Sequence, residues 1–185
     1  MVTIASLWLS ILLASVLVYI AAAIIWTVMP YHKSDFKPLP NESAVRAALG
    51  PDIPPGQYNI PNIATPAALK DPEVAKLFTD GPIGFLTVLP KGIPRMGKSM
   101  VLSLVYYFVV SATIAYLASR SLAPGAAYWE VFRFVGTFAW AVYGLGIIPD
   151  AIWFGRPWSA VWKNLFDALI VGSLTAGAFA GFWPA

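Results

Sequence analysis

Four long apolar runs constrain what this chain can fold into. They cover residues 3–29, 99–118, 131–148 and 165–183, and each has 18 or more residues with almost no charge. A helix of about 20 residues crosses the roughly 30 Å hydrocarbon core of a bilayer. Hydrophobic residues make up 58% of the chain. Charged residues make up only 11%, well below the charged fraction of soluble domains. The sequence therefore predicts an all-α integral membrane protein with four transmembrane helices.

The apolar runs divide the chain into three parts. Residues 1–29 form the first transmembrane helix, residues 30–98 form an insertion, and residues 99–185 carry the other three helices with short loops. The first run lacks a basic leader and is long for a signal peptide, so it is expected to remain as an anchor. The insertion holds 12 of the 16 prolines and has little core of its own. We expect it to be only partly structured and to pack on the membrane surface or on a partner.

Four short elements are predicted inside this proline-rich insertion. Asn41 is placed to cap a helix over residues 42–49 with its side chain, and Asp71 starts a second short helix. The β-prone segments 57–60 and 83–89 are candidates to pair as strands.

Basic residues are distributed unevenly between the two sides that four helices define. The side with both termini and the loop at residues 119–130 has only Arg120 and Arg133. Loops rich in Lys and Arg stay in the cytoplasm, so the insertion is predicted to be cytoplasmic and both termini outside. The other side carries ten basic residues: Lys33, Lys37, Arg46, Lys70, Lys76, Lys91, Arg95, Lys98, Arg156 and Lys163.

Asp167 is the carboxylate that lies furthest inside a predicted helix, about one turn into the fourth run. Lys163 precedes it by four residues, so a local ion pair is expected. The alternative is an ion or proton site in which Asp167 faces Asp150 or Arg156, because ionisable groups inside membrane spans commonly serve transport. Asp150 and Asp167 are therefore the candidate ion or proton site.

Other chemically active side chains are scarce. His32 is the only histidine and cysteine is absent. A lone histidine at a membrane surface is expected to contact lipid headgroups, because haem or metal ligation would need partners from other segments. Arg133 is expected to pair with Glu130, three residues earlier. No nucleophile–base arrangement is recognisable, so we predict no catalytic residues, metal or cofactor, and a function other than catalysis is favoured.

Residues 92–99 match the phosphate-binding pattern G-x-x-x-x-G-K-[ST]. The helix that follows is the second apolar run, and the sequence offers no α/β sheet to surround the motif, so nucleotide binding is not predicted. Lys91, Arg95 and Lys98 are interpreted as charges that flank a membrane helix or as a contact for anionic lipid headgroups. The net charge of +3 is too small to indicate nucleic-acid binding.

Small residues recur every four positions in the last apolar run, on two adjoining faces. Small residues let helix backbones approach closely in a membrane, so these faces are predicted to pack against another helix. Gly136 and Gly144 of the third run are a candidate counterpart, and a second subunit is the alternative. The predicted packing residues are Gly172, Ala176, Gly177, Ala180 and Gly181.

The motifs His-Lys-Ser-Asp-Phe at residues 32–36, Pro-Gly-Gln-Tyr at 55–58 and Pro-Arg-Met-Gly-Lys-Ser at 94–99 are similar to those of a group of small, uncharacterised bacterial inner-membrane proteins. The resemblance covers much of the chain, including residues 164–184. It implies a bacterial inner (plasma) membrane location and no particular activity or site residue.

Two functions of different kinds are consistent with these features. The favoured one is a non-enzymatic structural or accessory subunit of a larger membrane assembly or homo-oligomer, with the lipid bilayer and a membrane protein as partners and no nucleic acid. The alternative is a small transporter or channel component with a cytoplasm-side carboxylate site at Asp150 and Asp167. A third reading, an enzyme acting on lipid headgroups, would depend on Lys91, Arg95 and Lys98.

Overall fold

A computed structural model describes residues 1–185 as two compact units. The first unit comprises Met1–Phe36, Arg95–Ala151 and Arg156–Ala185, and the second comprises Lys37–Pro94 and Ile152–Gly155. Most of the chain is helical. The elements in chain order are α1 (Trp8–Thr27), α2 (Glu42–Leu49), β1 (Gly56–Ile60), α3 (Pro72–Asp80), β2 (Gly84–Val88), α4 (Met96–Ser121), α5 (Tyr128–Gly144), α6 (Ile148–Phe154) and α7 (Trp158–Gly181).

Four helical segments are long and apolar enough to cross a membrane. They are Ala5–Thr27, Met96–Ser121, Tyr128–Phe154 and Trp158–Gly181, of which the third joins α5 to α6 through a 3-10 turn. The prediction of a mostly helical chain with four candidate membrane-spanning helices is confirmed. The last segment starts well before the apolar run at residue 165, because the helix continues into more polar flanking residues.

Helices α5 and α7 pack closely because glycines face the partner helix. A Cβ atom at Gly172 would lie 3.1 Å from the backbone nitrogen of Trp140, and a Cβ atom at Gly136 would lie 3.3 Å from the Cβ atom of Ala176. Such small residues allow backbone-to-backbone van der Waals contact between membrane helices. The two helices meet along one of the two small-residue faces of α7.

Hydrogen bonds between loops show which helix ends lie together in the first unit. At one end, the indole N–H of Trp183 donates to the carbonyl of Ala123 at 2.9 Å, and the Gly125 N–H donates to the Pro184 carbonyl at 2.8 Å. At the opposite end, Lys163 near the start of α7 bonds to the turn that follows α1. The four helices therefore alternate in direction, as a four-pass topology requires.

The second unit contains the only two strands of the chain. They form an antiparallel pair in which Tyr58 lies opposite Leu86. The predicted pairing of the segments 57–60 and 83–89 is therefore confirmed.

The two short helices of the second unit have their predicted positions, but only one is capped as expected. The carboxylate of Asp71 accepts a hydrogen bond from the Glu73 N–H at 2.9 Å, as a helix N-cap does. The prediction that the side chain of Asn41 caps α2 is wrong. Asn41 adopts a left-handed conformation with φ of 53° and makes no capping hydrogen bond, whereas side-chain capping requires an extended backbone at that position.

Candidate functional site

A single 3-10 turn, Tyr31–Asp35, gathers polar side chains immediately after α1. Pro30 precedes the turn with φ of −80°, close to the value that its ring imposes. Side chains three residues apart lie on one side of a 3-10 helix. His32 and Asp35 consequently face the same way, and the Nδ1 atom of His32 lies 2.7 Å from a carboxylate oxygen of Asp35.

Helix α7 supplies the other half of the site. Lys163 and Asp167 lie one turn apart on the same face, and Asp167 is about 14 Å along the helix axis from the start of α7. The expected ion pair between them does not form. Lys163 bonds to Asp35, and Asp167 bonds to His32. The spacing does place both residues on one face, but the 3-10 turn packs against that face and gives each of them a different partner.

His32 lies between two carboxylates. Its Nδ1 is 2.7 Å from Asp35, its Nε2 is 2.7 Å from Asp167, and only 4% of its side chain is exposed. A neutral imidazole has one donor and one acceptor, whereas an imidazolium has two donors. With both carboxylates ionised, only the imidazolium donates a hydrogen bond to each. The expectation that His32 contacts lipid headgroups is wrong, because the ring is buried inside this cluster.

The ammonium group of Lys163 uses all three of its donors within the turn. It bonds to the Tyr31 carbonyl at 2.7 Å, to the Ser34 hydroxyl at 2.7 Å and to Asp35 at 2.6 Å. Burial alone would raise the pKa of Asp35, but the hydrogen bonds and charges of Lys163 and His32 outweigh it. The pKa of Asp35 therefore lies below its ordinary value.

Tyr31 completes the contacts of Asp167. Its hydroxyl donates a hydrogen bond to the carboxylate oxygen that His32 does not use. Burial, followed by the hydrogen bond and the negative charge of Asp167, raises the pKa of Tyr31 to about 12. Both oxygens of Asp167 are thus bonded, but each carboxylate oxygen offers two acceptor positions, so the group can bind a further donor or cation.

A cavity of about 150 Å³ adjoins Asp167. The ring of Trp26, one of its walls, also stacks on His32 with centroids 4.1 Å apart and planes 12° apart. Three tyrosine rings form another wall, with centroid distances of 5.4 to 6.4 Å between them. The polar and aromatic side chains that line the cavity are Trp26, Tyr106, Tyr107, Tyr143, Asn164 and Asp167.

Three hydroxyl groups inside the bundle lack a hydrogen-bond partner: those of Ser10, Ser111 and Tyr143. Ser111 and Thr175 lie near the Tyr143 hydroxyl, but neither has hydrogen-bond geometry with it. An unpaired buried hydroxyl costs about 1–3 kcal/mol. Of these three residues, Tyr143 lines the cavity beside Asp167.

Asp150 lies outside the cluster. It belongs to α6, half of its side chain is exposed, and its carboxylate is 3.9 Å from the guanidinium of Arg156. No hydrogen bond joins it to Asp167. The structure therefore gives Asp150 and Asp167 separate partners.

The expected contact between Arg133 and Glu130 is also absent, because Arg133 donates to the Trp129 carbonyl.

The three basic residues proposed to contact lipid headgroups differ in their environments. Lys91 forms an exposed ion pair with Asp52 at 3.0 Å. Arg95 precedes α4, Lys98 lies in its first turn, and neither forms an ion pair.

In the phosphate-binding pattern at residues 92–99, the last four residues are helical. The preceding strand β2 pairs only with β1 in an antiparallel sheet. The parallel sheet that surrounds a nucleotide-binding loop is absent.

The two small-residue faces of α7 have different surroundings. Gly172 and Ala176 face α5, and Ala180 is buried. A Cβ atom at Gly177 or Gly181 would meet no atom within 4 Å. Gly177 instead lines an apolar groove of about 630 Å³ on the first unit. The second face is therefore left uncovered by this chain.

The cluster is not arranged to hold a metal ion. The two carboxylates bind opposite nitrogens of the His32 ring, so the three groups do not converge on one point. That four residues of one site come together was not predicted from the sequence: Tyr31, His32, Asp35 and Lys163. Two features of the sequence could have indicated the site. His32 and Asp35 lie three residues apart directly after the first apolar run, and Asp167 lies inside the fourth apolar run.

The fold and the cluster define a helical chain with four candidate membrane-spanning segments and a buried group of charges at one end of the bundle. No family model, curated protein or solved structure matches this chain.

Proposed function

We propose that this protein binds and exchanges a proton or small cation at the Asp167–His32 pair, as a small transporter or channel component. One observation carries the proposal: the buried His32 ring is held between two carboxylates at one end of a bundle of apolar helices, and one of them, Asp167, belongs to a candidate membrane-spanning helix. Burying charged groups is costly, and in membrane spans such groups commonly mark pathways for ions or protons.

The charges of the cluster give this exchange a physical basis. With His32 as imidazolium, two positive groups, His32 and Lys163, balance the two carboxylates. Loss of the His32 proton leaves a net charge of −1, and the ring nitrogen that gives up the proton then faces an anionic oxygen of Asp35 or Asp167. The cluster then favours uptake of either a proton or another cation, because an uncompensated buried charge is strongly unfavourable.

We propose that the site opens to the cytoplasm, with the chain in a bacterial inner membrane and both termini outside. The cluster lies at the end of the first unit where α1 ends and α7 begins. The two loops that the sequence assigns to this side of the membrane carry ten of the twelve basic residues. Basic loops are retained on the cytoplasmic side, which supports this orientation.

Ion flux in liposomes tests the function. Purified protein is reconstituted, a proton gradient is imposed, and its dissipation is followed with a trapped pH-sensitive dye. We expect Asp167→Asn to abolish the flux. Asp150→Asn removes a half-exposed carboxylate outside the cluster and should retain it. Equal flux in wild type, Asp167→Asn and protein-free liposomes would refute the proposal.

A second candidate function is that of an accessory subunit in a membrane assembly or homo-oligomer. The uncovered face at Gly177 and Gly181 favours it, because exposed small residues allow close approach of a further helix. The test is the native mass and composition after mild detergent extraction. A stoichiometric complex should be lost in Gly177→Leu and retained in Ala23→Leu, a matched change at an exposed position on α1. A monomer in wild type would contradict this role.

A further inference from the structure

The cavity beside Asp167 combines a carboxylate with aromatic walls. Trp26 belongs to α1, Tyr106 and Tyr107 to α4, and Tyr143 to α5, so three helices each contribute aromatic rings. The faces of aromatic rings attract cations, and cages of such rings bind alkylammonium groups. A carboxylate in the same wall adds a full negative charge.

The dimensions of the cavity limit what it can hold. Its volume is about 150 Å³, and apolar cavities of roughly this size accommodate a molecule as large as benzene. A quaternary ammonium with four methyl groups has comparable size. Trp26 is 48% exposed and Tyr106 is 49% exposed, so the cavity borders the outside of the bundle and a ligand can reach it.

The net charge next to the cavity depends on whether the His32 ring is protonated. The groups that face this ring are Asp35 and the Tyr31 ring from its own turn, Asp167 from α7 and the Trp26 ring from α1. The Tyr31 hydroxyl bonds to Asp167, and Lys163 bonds to Asp35. A protonated ring neutralises the cluster. A deprotonated ring leaves one negative charge next to the cavity.

We propose that this cavity binds a small organic cation of the alkylammonium class, in competition with the proton of His32. The cation occupies the space between the aromatic rings and Asp167, and the displaced proton passes to the solvent. This inference rests on the proposed exchange function and specifies its substrate class. Because coupling between two binding events is reciprocal, the cation binds more tightly as the pH rises.

Calorimetric titration of the full-length protein in detergent with tetramethylammonium chloride tests the proposal. We expect saturable binding, and a Kd that falls as the pH rises by at most tenfold per pH unit, since at most one proton is released per cation. Heats measured in two buffers of different ionisation enthalpy report that released proton directly. The neutral isostere tert-butanol should not bind.

Variants separate the contributions of charge and aromatic rings. Tyr107→Leu should weaken binding by about threefold to thirtyfold, the range of cation–π contributions, and Tyr107→Phe should retain it. Tyr116→Leu alters an exposed tyrosine of α4 that does not line the cavity and should change nothing. Asp167→Asn should weaken binding at least tenfold, and the Tyr107 variants keep the test decisive if this variant fails to fold.

The outcomes distinguish this inference from the proposed function. Binding of tert-butanol as tight as that of tetramethylammonium, absence of saturable binding, or a Kd independent of pH would each overturn the inference. Asp167-dependent proton flux without tetramethylammonium binding would leave the exchange function in place and reject the substrate class. Absence of both flux and binding would reject the two together.

Discussion

The Nε2 atom of His32 lies 2.7 Å from a carboxylate oxygen of Asp167, although 135 positions of the chain separate the two residues. This contact joins the turn after α1 to the interior of α7. The same ring bonds through its other nitrogen to Asp35. The histidine therefore joins the two carboxylates through its two ring nitrogens.

Replacement of His32 by alanine is expected to destabilise the fold strongly. The side chains of Asp35 and Asp167 are 4% and 12% exposed, and both would lose a buried hydrogen-bond partner. Removing one member of a buried charged pair costs about 3–5 kcal/mol. The free energy of unfolding in mixed detergent micelles measures this loss.

A matched control is Arg46→Ala, which breaks an exposed pair with Glu42 in α2. Such surface pairs contribute about 1 kcal/mol or less. If His32→Ala and Arg46→Ala had the same effect, the buried cluster would not stabilise the protein.

Tyr31→Phe is expected to remove a stabilisation that disappears at alkaline pH. The folded-state pKa of Tyr31 is raised to about 12 from a usual value near 10. A raised pKa means that the contribution is complete below about pH 10 and is lost as the pH rises through about 12. The difference in unfolding free energy between wild type and Tyr31→Phe should therefore shrink across this interval. A constant difference would contradict the hydrogen bond to Asp167.

Lys163→Gln is expected to reveal the opposite dependence at acidic pH. The pKa of Asp35 is lowered in the folded state, so its contribution is complete above its ordinary value near 4 and is lost as the pH falls through the lowered pKa. The stability difference between wild type and Lys163→Gln should be largest near neutral pH and should decline below about pH 4. Thermal unfolding in detergent at several pH values provides the measurement.

Gly172→Ala is expected to destabilise the packing of α5 on α7, because the added methyl group would lie 3.1 Å from the Trp140 backbone nitrogen. Overpacking of this kind costs about 1–3 kcal/mol. Gly177→Ala introduces the same methyl group into open space and should not lower the melting temperature. Equal melting temperatures of the two variants would contradict the close helix contact.

Single cysteines are expected to report the proposed orientation, and the chain has no cysteine of its own to interfere. Ser121→Cys, at the end of α4, should react with a membrane-impermeant maleimide in intact cells. Ser43→Cys, in α2, should react only after the membrane is made permeable. The reversed pattern would place the charged cluster on the outer side.

Features that depend on neighbouring residues could be predicted from the sequence. Apolar runs indicated the four membrane-spanning candidates, and Asp71 with Pro72 indicated the start of α3. The capping of α2 by Asn41 was wrong, because residue type alone does not determine whether the backbone is extended or left-handed there. The start of α3 and the capping of α2 both depend on the local chain, but the capping of α2 also depends on the backbone conformation of Asn41 alone.

The charged cluster could not be predicted in the same way, because its contacts join distant segments. The spacing of Lys163 and Asp167 correctly placed them on one face of a helix. The same spacing predicted an ion pair between them, because the 3-10 turn that gives each a different partner is brought to α7 only by the packing of α1. Asp35 and His32 carried no periodic signal that pointed across the bundle.

The distance along the chain between His32 and Asp167 has a consequence for biosynthesis. A ribosome adds about 5–20 residues per second, so on the order of ten seconds pass between synthesis of the histidine and synthesis of its carboxylate partner. During this interval the turn after α1 has neither Asp167 nor Lys163 available. The nascent chain must keep these polar groups hydrated at the membrane surface, and their withdrawal from water becomes one of the last events of insertion.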